Sequence, residues 1–166
     1  MEIKVKRINE NAIMPVYAHE GDTGFDIYTS EDVIIAARST AAVPTGLKFE
    51  LPEGYGVMVR NRSGNTLKGV DGIYQTFLDD LGNMFLPKEV QKMDIKVQIG
   101  TIDNGYRGEV KILATNNEMH DVKILKGTKL AQGIVEKINR TNFIEVSELN
   151  ESDRRENGFG STDIKK

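Results

Sequence analysis

The sequence contains no cysteine among its 166 residues, which excludes disulfide bonds, thiolate zinc sites and thiol nucleophiles. Imidazole is nearly as scarce, because His19 and His120 are the only histidines and lie far apart in the chain. No apolar run approaches the roughly 20 residues of a membrane span, and residues 1–6 lack the apolar core of a signal peptide. The formal net charge of −3 gives no general attraction to nucleic acid or to anionic membranes. These absences predict a soluble, cytoplasmic protein without nucleic-acid or membrane partners.

What the sequence does contain is a series of short segments in which apolar and polar residues alternate with the period of a half-buried strand. Gly, Pro and Asn turns separate them, which favours an all-β barrel or sandwich. The predicted strands cover residues 3–5, 32–37, 47–51, 55–59, 95–99, 109–113, 122–125, 130–138 and 142–146. A chain of 166 residues is most simply one domain, which we place at residues 1–150, followed by a polar tail at 151–166.

Helical patterning is confined to residues 74–93, where Phe77, Leu78 and Leu81 fall at helical spacing and Pro87 could open a second short helix. We therefore predict a short helical segment within residues 71–94. Its apolar residues either pack it onto the β-sheet body or offer a surface to a protein partner or to other copies of the chain.

The segment from 95 to 113 is predicted to form a β-hairpin. Its two arms alternate, and Asp103, Asn104 and Gly105 between them supply turn chemistry, since Asn and Gly accept positive φ. Asp103 would lie at the mouth of the hairpin, and Tyr106 would lean its ring over the same opening. An ordinary hairpin with a turn-forming aspartate is the alternative at this point.

Polar segments around Asp26, Ser63 and Gln132 follow predicted strands, and the tail adds another at Phe159. Glycine lets backbone amides approach an anion, and Arg or Lys supplies its countercharge. Arg62, Ser63 and Gly64 combine a guanidinium, a hydroxyl and a glycine amide in succession. Each segment taken singly is also compatible with a plain turn.

In this order the segments resemble the trimeric dUTP diphosphatase (dUTPase) family along nearly the whole chain. Residues 22–27 resemble its first motif and residues 62–64 its phosphate-binding second motif. Residues 100–108 resemble the third motif, a hairpin that binds uracil and deoxyribose, and residues 127–132 the fourth. Arg154 and residues 158–162 resemble the fifth, a mobile tail that closes over the nucleotide.

The resemblance implies a jelly-roll-like distorted β-barrel that hydrolyses dUTP to dUMP and pyrophosphate, which lowers dUTP and supplies dUMP for thymidylate synthesis. Asp103 would be the catalytic general base that orients a water towards the α-phosphorus; a carboxylate is ionised at neutral pH but is a modest base. Tyr106 would pack on the deoxyribose and exclude a 2′-hydroxyl. Backbone groups near Thr101 and Ile102 would read the uracil edge, and Lys111 either lines the same pocket or is solvated.

The resemblance also implies a phosphate site, a metal and an assembly. Phosphates would be held by Arg62, Ser63, Gly64 and Gln132, and the tail would add Arg154 or Arg155 at the terminal phosphate. Phe159 would stack on the base, with Gly160 and Ser161 beside it. Magnesium would be bound mainly by phosphate oxygens and water, with Asp26 as its anchor through water. The family is a homotrimer with active sites shared between chains.

Two features of the chain depart from the family pattern, and two other functions are the alternatives to dUTP hydrolysis. Residues 71–94 form a longer segment than the family usually has between its second and third motifs, and Arg155 stands at a usual glycine. The related dCTP deaminase family carries a glutamate where this chain has Leu113, and leucine cannot move protons. Some bacteriophage members also bind repressors, so residues 71–94 are a possible surface for a protein partner, although no docking motif is recognisable.

Overall fold

The computed structural model describes residues 1–75, 77–78, 84–85 and 89–152, whose regular secondary structure is almost entirely β-strand. The strands are β1 (Lys4–Arg7), β2 (Gly24–Tyr28), β3 (Val33–Ile35), β4 (Thr40–Pro44), β5 (Leu47–Glu50), β6 (Tyr55–Asn61), β7 (Val70–Tyr74), β8 (Phe77–Leu78), β9 (Met84–Phe85), β10 (Gln91–Met93), β11 (Ile95–Val97), β12 (Gly100–Ile102), β13 (Lys111–Asn116), β14 (Val122–Ile124) and β15 (Lys129–Lys137). One short helix, α1 (Ser63–Lys68), follows β6.

The strands pair antiparallel in five small sheets. Their orders are β1–β5, β10–β7–β14–β3, β11–β13–β4, β12–β6–β15–β2 and β8–β9. The predicted all-β class is therefore confirmed, although the described strands form open sheets and not a closed barrel. Strands β6 and β15 make the longest pairing, from Ala131 opposite Asn61 to Lys137 opposite Tyr55.

The core lies between the sheets and follows directly from the alternation of the sequence. On β13, Ile112 and Ala114 are fully buried while Lys111 and Leu113 face outwards. Because successive side chains of a strand point to opposite faces, strands such as β5, β11 and β13 give the core every second residue. The largest fully buried side chains are those of Ile27, Ile35, Val43, Leu47, Val57, Val70, Met93, Ile95, Val110, Ile112, Ile124 and Leu130.

The predicted hairpin of residues 95–113 is present in part. Strand β11 does pair with β13, with Val97 opposite Ala114, but the first arm ends at Val97 and the second begins at Lys111 and not at residue 109. Between them, β12 leaves the hairpin and pairs with β6, with Gly100 opposite Val59. The hairpin is thus shared between two sheets, because the chain after Val97 gains a second partner that the local alternation does not reveal.

The helical prediction for residues 74–93 is wrong within the residues that are described. Strand β10 pairs with β7, with Met93 opposite Val70, and β7 in turn pairs with β14. Phe77 and Leu78 belong to β8, which pairs with β9, and Leu81 and Pro87 lie outside the described residues. Burial of Val70 and Met93 in a four-stranded sheet overrides the weak helical spacing.

The strand predicted at residues 142–146 is also absent, because this segment pairs with no described strand. Phe143 is 96% exposed, Ile144 81% and Leu149 88%. The short helix α1 was not predicted, since six residues are too few to show a helical period. No described helix is long and apolar enough to cross a membrane.

Candidate active site

Asp103 lies in a tight turn directly after β12. The N–H of Tyr106 donates to the Asp103 carbonyl at 3.0 Å, and the Asn104 side chain donates to the carbonyl of Leu51 at 3.0 Å. Arg107 Nη1 donates to the Asn104 carbonyl at 2.6 Å. The turn was predicted because Asn and Gly accept positive φ, but neither Asn104 nor Gly105 has a positive φ. Side-chain hydrogen bonds hold the turn instead.

Next to this turn lies a groove of about 350 Å³. Five residues predicted from the sequence line it together, namely Thr101, Ile102, Asp103, Tyr106 and Lys111. Ile102 is buried, while Asp103 is exposed, and no described residue donates a hydrogen bond to the Asp103 carboxylate. The structure therefore brings the predicted nucleoside-binding residues to one place and leaves a free carboxylate beside them.

Glu109 belongs to the same groove, and the sequence analysis gave it no role. Its backbone carbonyl accepts a hydrogen bond from the Tyr106 hydroxyl at 2.9 Å. Its carboxylate accepts one from the N–H of Gly46 at 2.9 Å and lies 3.9 Å from Lys111 Nζ. The period of two that places Glu109 and Lys111 on one face was the available signal.

A second cluster gathers around Asp26, which is only 2% exposed. Arg62 Nε donates to Asp26 Oδ1 at 2.8 Å. Lys129 Nζ lies 3.0 Å from Oδ2 and forms an ion pair with it. The neighbouring Asp26 carboxylate raises the pKa of Lys129 above its ordinary value. One buried carboxylate thus holds two cations, of which Lys129 was not singled out from the sequence.

Strand pairing and α1 assemble the rest of this cluster. Asp26 was predicted in a polar segment and Gln132 within the strand at 130–138; they lie opposite each other in β2 and β15, so their side chains project from the same face. Ser63 and Gly64 open α1, directly after Arg62. Asn65, which the sequence analysis missed, donates to the carbonyls of Lys129 and Leu130 and fixes α1 against β15. The only local sequence signal for Asn65 was its position three residues after Arg62.

The two clusters do not meet within one chain. Strand β12 runs antiparallel to β6 with Ile102 opposite Val57, so Asp103 follows at the level of Gly56. Arg62 follows the other end of β6. Six strand residues at about 3.3 Å each place the two groups about 20 Å apart. The carboxylate and the guanidinium of one chain therefore cannot act on neighbouring atoms of one nucleotide.

The predicted tail residues Arg154, Arg155, Phe159, Gly160 and Ser161 lie outside the described residues. Their roles stay predictions.

A preformed metal site is not evident among the described residues, which contain no cluster of three His, Asp or Glu side chains suited to a metal ion. Asp26, the predicted anchor, faces Arg62 with one carboxylate oxygen and Lys129 with the other. As placed, Asp26 does not fit a direct metal ligand, because both oxygens already face cations. A contact through water stays a prediction.

The described strands are antiparallel, and the chain carries a free carboxylate in a groove and a separate cationic cluster. These features define a class of β-protein suited to binding a phosphorylated ligand. A family model described as dUTPase matches residues 10–75 and 82–163. A deoxyuridine 5′-triphosphate nucleotidohydrolase of Clostridium acetobutylicum is 37% identical over 166 residues, covering 100% of this chain and 99% of the relative. A protein of the same name from Clostridium kluyveri is 41% identical over 162 residues, with 98% of each chain covered. The chain therefore belongs to the dUTPase family.

Solved structures support the fold. A dUTPase of Staphylococcus bacteriophage 80alpha with dUPNHPP gives a TM-score of 0.77 at 24% identity, over 98% of this chain and 99% of that one. A dUTPase from phage phi11 of S. aureus, whose structure visualises a species-specific insert, gives 0.71 at 23% identity over 92% and 100%. The predicted dUTPase-type fold is confirmed. The family match is interrupted at residues 76–81, inside the segment 71–94.

Proposed function

We propose that this chain hydrolyses dUTP to dUMP and pyrophosphate by attack of water on the α-phosphorus. The observation that carries the proposal is Asp103, an exposed carboxylate without a described donor at the end of the groove that Thr101, Ile102 and Tyr106 line. Curated relatives named deoxyuridine 5′-triphosphate nucleotidohydrolase match the chain over its full length, which supports this activity.

Asp103 acts on the water as general base. An ionised carboxylate that no protein group already occupies can accept a hydrogen bond from water and direct its lone pair towards phosphorus. The turn that holds Asp103 is fixed to the chain before β6 through Asn104, so the carboxylate starts from a defined position. Most of its contribution is therefore placement of the water.

The groove accounts for the choice of nucleoside. Strand β12 presents backbone groups of Thr101 and Ile102 at its wall, and these read the uracil edge. A slot lined by fixed polar groups rejects a base that leaves them unpaired. Tyr106 packs on the deoxyribose, and Lys111 lies at the open side of the same groove.

Arg62, Ser63, Gly64 and Gln132 bind the phosphate chain at the second cluster. Since Arg62 and Asp103 of one chain are about 20 Å apart, the phosphates at Asp103 are held by a second copy. We infer a homotrimer with shared active sites, in which residues 151–166 supply Arg154, Phe159, Gly160 and Ser161 as the closing tail. The exposed apolar side chains of Phe143, Ile144 and Leu149 support an assembly in which other copies cover them.

Magnesium enters with the nucleotide in this proposal. Mg²⁺ suits a site where phosphate oxygens and water are the main ligands and the protein offers few. A mutant dUTPase from phage phi11 of S. aureus coordinates a structural Mg(II) ion, which is a property of that protein and is compatible with a role for Mg²⁺ here. The action proposed for Asp103 on the water does not depend on a protein ligand to Mg²⁺.

The test is pyrophosphate release from dUTP, dCTP, dTTP and UTP, each with magnesium and with a chelator. Selective, magnesium-dependent release from dUTP is the expected result. Release of ammonia from dCTP would indicate a deaminase. Leu113 argues against that activity, because it lines the groove and cannot transfer protons. No reaction with any of the four would contradict the proposed activity.

A protein partner at residues 71–94 stays a second, weaker proposal. Phage dUTPases, among them that of bacteriophage 80alpha, control transfer of virulence genes. This is a property of those phage proteins. Strand β10 contributes the buried Met93, and most of β7 lies in the same segment, so removing all of 71–94 would damage the core. Deleting 76–88 and comparing captured proteins with those of the full chain tests the partner without that damage.

A further inference from the structure

The backbone beside Tyr106 is tied to a buried turn between β4 and β5. Thr45 Oγ1 donates to the Val110 carbonyl at 2.6 Å, and the N–H of Val110 donates to the Leu47 carbonyl at 2.8 Å. The carboxylate of Glu109 accepts from the N–H of Gly46 at 2.9 Å. Thr45, Leu47 and Val110 are all buried. Residues 109 and 110 are therefore held by three hydrogen bonds to an element that packs in the core.

The ring of Tyr106 is fixed to this backbone from two sides. Its hydroxyl donates to the Glu109 carbonyl at 2.9 Å. Its ring edge occupies the space over Gly108, where an added Cβ would lie 2.3 Å from the hydroxyl oxygen and 2.5 Å from Cζ. A side chain at residue 108 would therefore displace the ring, because real Cβ atoms do not approach other atoms this closely.

We propose that Glu109 and Gly108 are positioning residues that hold Tyr106 as a rigid wall against ribonucleotides. The inference rests on the proposed function and deepens it, since it assigns the selection of 2′-deoxyribose to residues beyond Tyr106. A ring that could retreat would make room for a 2′-hydroxyl, whereas a ring held by its own hydroxyl and by the space at Gly108 cannot. Discrimination by exclusion depends on such stiffness in the supporting residues.

The decisive comparison is Glu109→Ala against Glu109→Gln, read as the ratio of kcat/KM for dUTP to that for UTP. Alanine removes the acceptor for the Gly46 N–H, while glutamine retains an amide oxygen there. We expect the ratio to fall about tenfold or more in Glu109→Ala and to stay near that of the unaltered chain in Glu109→Gln. Glu50→Ala is the matched control, because Glu50 pairs with Lys4 at the surface and does not line the groove.

Two further variants separate positioning from a general loss of structure. Gly108→Ala displaces the ring without touching Glu109, and Tyr106→Phe removes the hydroxyl and keeps the ring. Each should lower the same ratio, and Tyr106→Phe combined with Glu109→Ala should lower it little more than either alone, since the two changes interrupt the same series of hydrogen bonds, from the Tyr106 hydroxyl through residue 109 to Gly46. Thermal melting of each variant shows whether the ratio was measured on folded protein.

An unchanged dUTP-to-UTP ratio in folded Glu109→Ala and Gly108→Ala would overturn the inference, as would equal losses in Glu109→Ala and Glu109→Gln. The relative affinity for dUMP and UMP gives a second reading that needs no turnover. If the unaltered chain fails to hydrolyse dUTP, the proposed function fails, and the dUMP-to-UMP affinity ratio of the same variants still decides the role of Glu109 and Gly108.

Discussion

Asp103 and Tyr106 face the same groove but are held in opposite ways. The Tyr106 hydroxyl is engaged by the Glu109 carbonyl, and its ring is confined by Gly108. The carboxylate of Asp103 has no described donor, although the turn beneath it is fixed. This division suits their proposed roles, because a residue that excludes a sugar must not move and a base must keep its oxygens available to water.

Replacing Asp103 by asparagine tests the base directly. Asparagine keeps the size of the side chain but cannot take a proton, so kcat for dUTP should fall by about 100-fold or more. Binding of dUMP, measured by calorimetry, should change little. Asp121→Asn is a suitable control, since Asp121 accepts a hydrogen bond from the Ala37 N–H on another part of the surface. Weak dUMP binding with intact turnover would make Asp103 a structural turn residue.

Asp26→Asn distinguishes a residue that positions cations from one that anchors a metal. The carboxylate lies against Arg62 at 2.8 Å and Lys129 at 3.0 Å, so its loss should leave both cations less well placed for phosphates. We expect KM for dUTP to rise about tenfold, with an unchanged dependence of the rate on Mg²⁺ concentration. A higher Mg²⁺ requirement at an unchanged KM would instead support the metal role predicted from the sequence.

The sequence predicts strands well here where the alternating face of a strand is buried in the core. Alternation located β5, β6 and β15, because one face of each packs in the core. Residues 142–146 alternate as clearly but form no strand with any described residue. Within residues 74–93, which have helical spacing, Tyr74 pairs with β14 and β10 pairs with β7. Local periodicity reports which face can be buried and not which partner buries it.

The residues of the candidate site follow the same rule: those that are close in sequence were predicted together, and those that depend on distant partners were not. Residues within 101–111 were predicted to lie together, and they do, because a turn keeps sequence neighbours close. The distance between Asp103 and Arg62 could not be predicted, since it depends on the register of β12 against β6. Lys129 and Asn65 were missed for a similar reason: their partners lie 103 and 64 positions away in the chain.

The pairing of β3 with β14 is flanked by an ion pair that makes its stability depend on pH. Lys123 Nζ lies 2.7 Å from Asp32, whose Oδ1 also accepts from the Lys126 N–H at 2.9 Å. The hydrogen bond from Lys123, followed by that from Lys126, lowers the pKa of Asp32 below its ordinary 3.8. A lowered pKa stabilises the fold above the ordinary value, and this contribution is lost as pH falls through the lowered one.

Asp32→Asn should therefore reduce the free energy of unfolding at pH 7 by about 1 kcal/mol or less, since the pair is partly solvent-exposed. The difference from the unaltered chain should shrink as pH falls below 3.8, where protonation of Asp32 removes its charge from the unaltered chain as well. Urea unfolding at several pH values measures this. A difference that persists undiminished down to about pH 2 would show that charge is not its cause.

The geometry of the complete protein follows from the separation of its two clusters. One chain carries the proposed base at one end of β6 and the guanidinium proposed to bind phosphate at the other, about 20 Å away. A closed symmetric assembly resolves this, because it brings one end of a chain to the other end of its neighbour. In such an assembly the unit of function is the interface between copies.

Mixing two inactive variants tests this arrangement without any structure of the complex. Asp103→Asn and Arg62→Gln should each be inactive alone, because every site then lacks one group. Unfolded and refolded together in equal amounts, they should recover about a quarter of the activity, since a site is intact when its Asp103 and Arg62 come from the two different variants in the right order. If both groups of a site belonged to one chain, no mixture could restore it. Recovery near a quarter, absent when the folded variants are merely mixed without exchange of chains, would therefore assign the two groups to different copies.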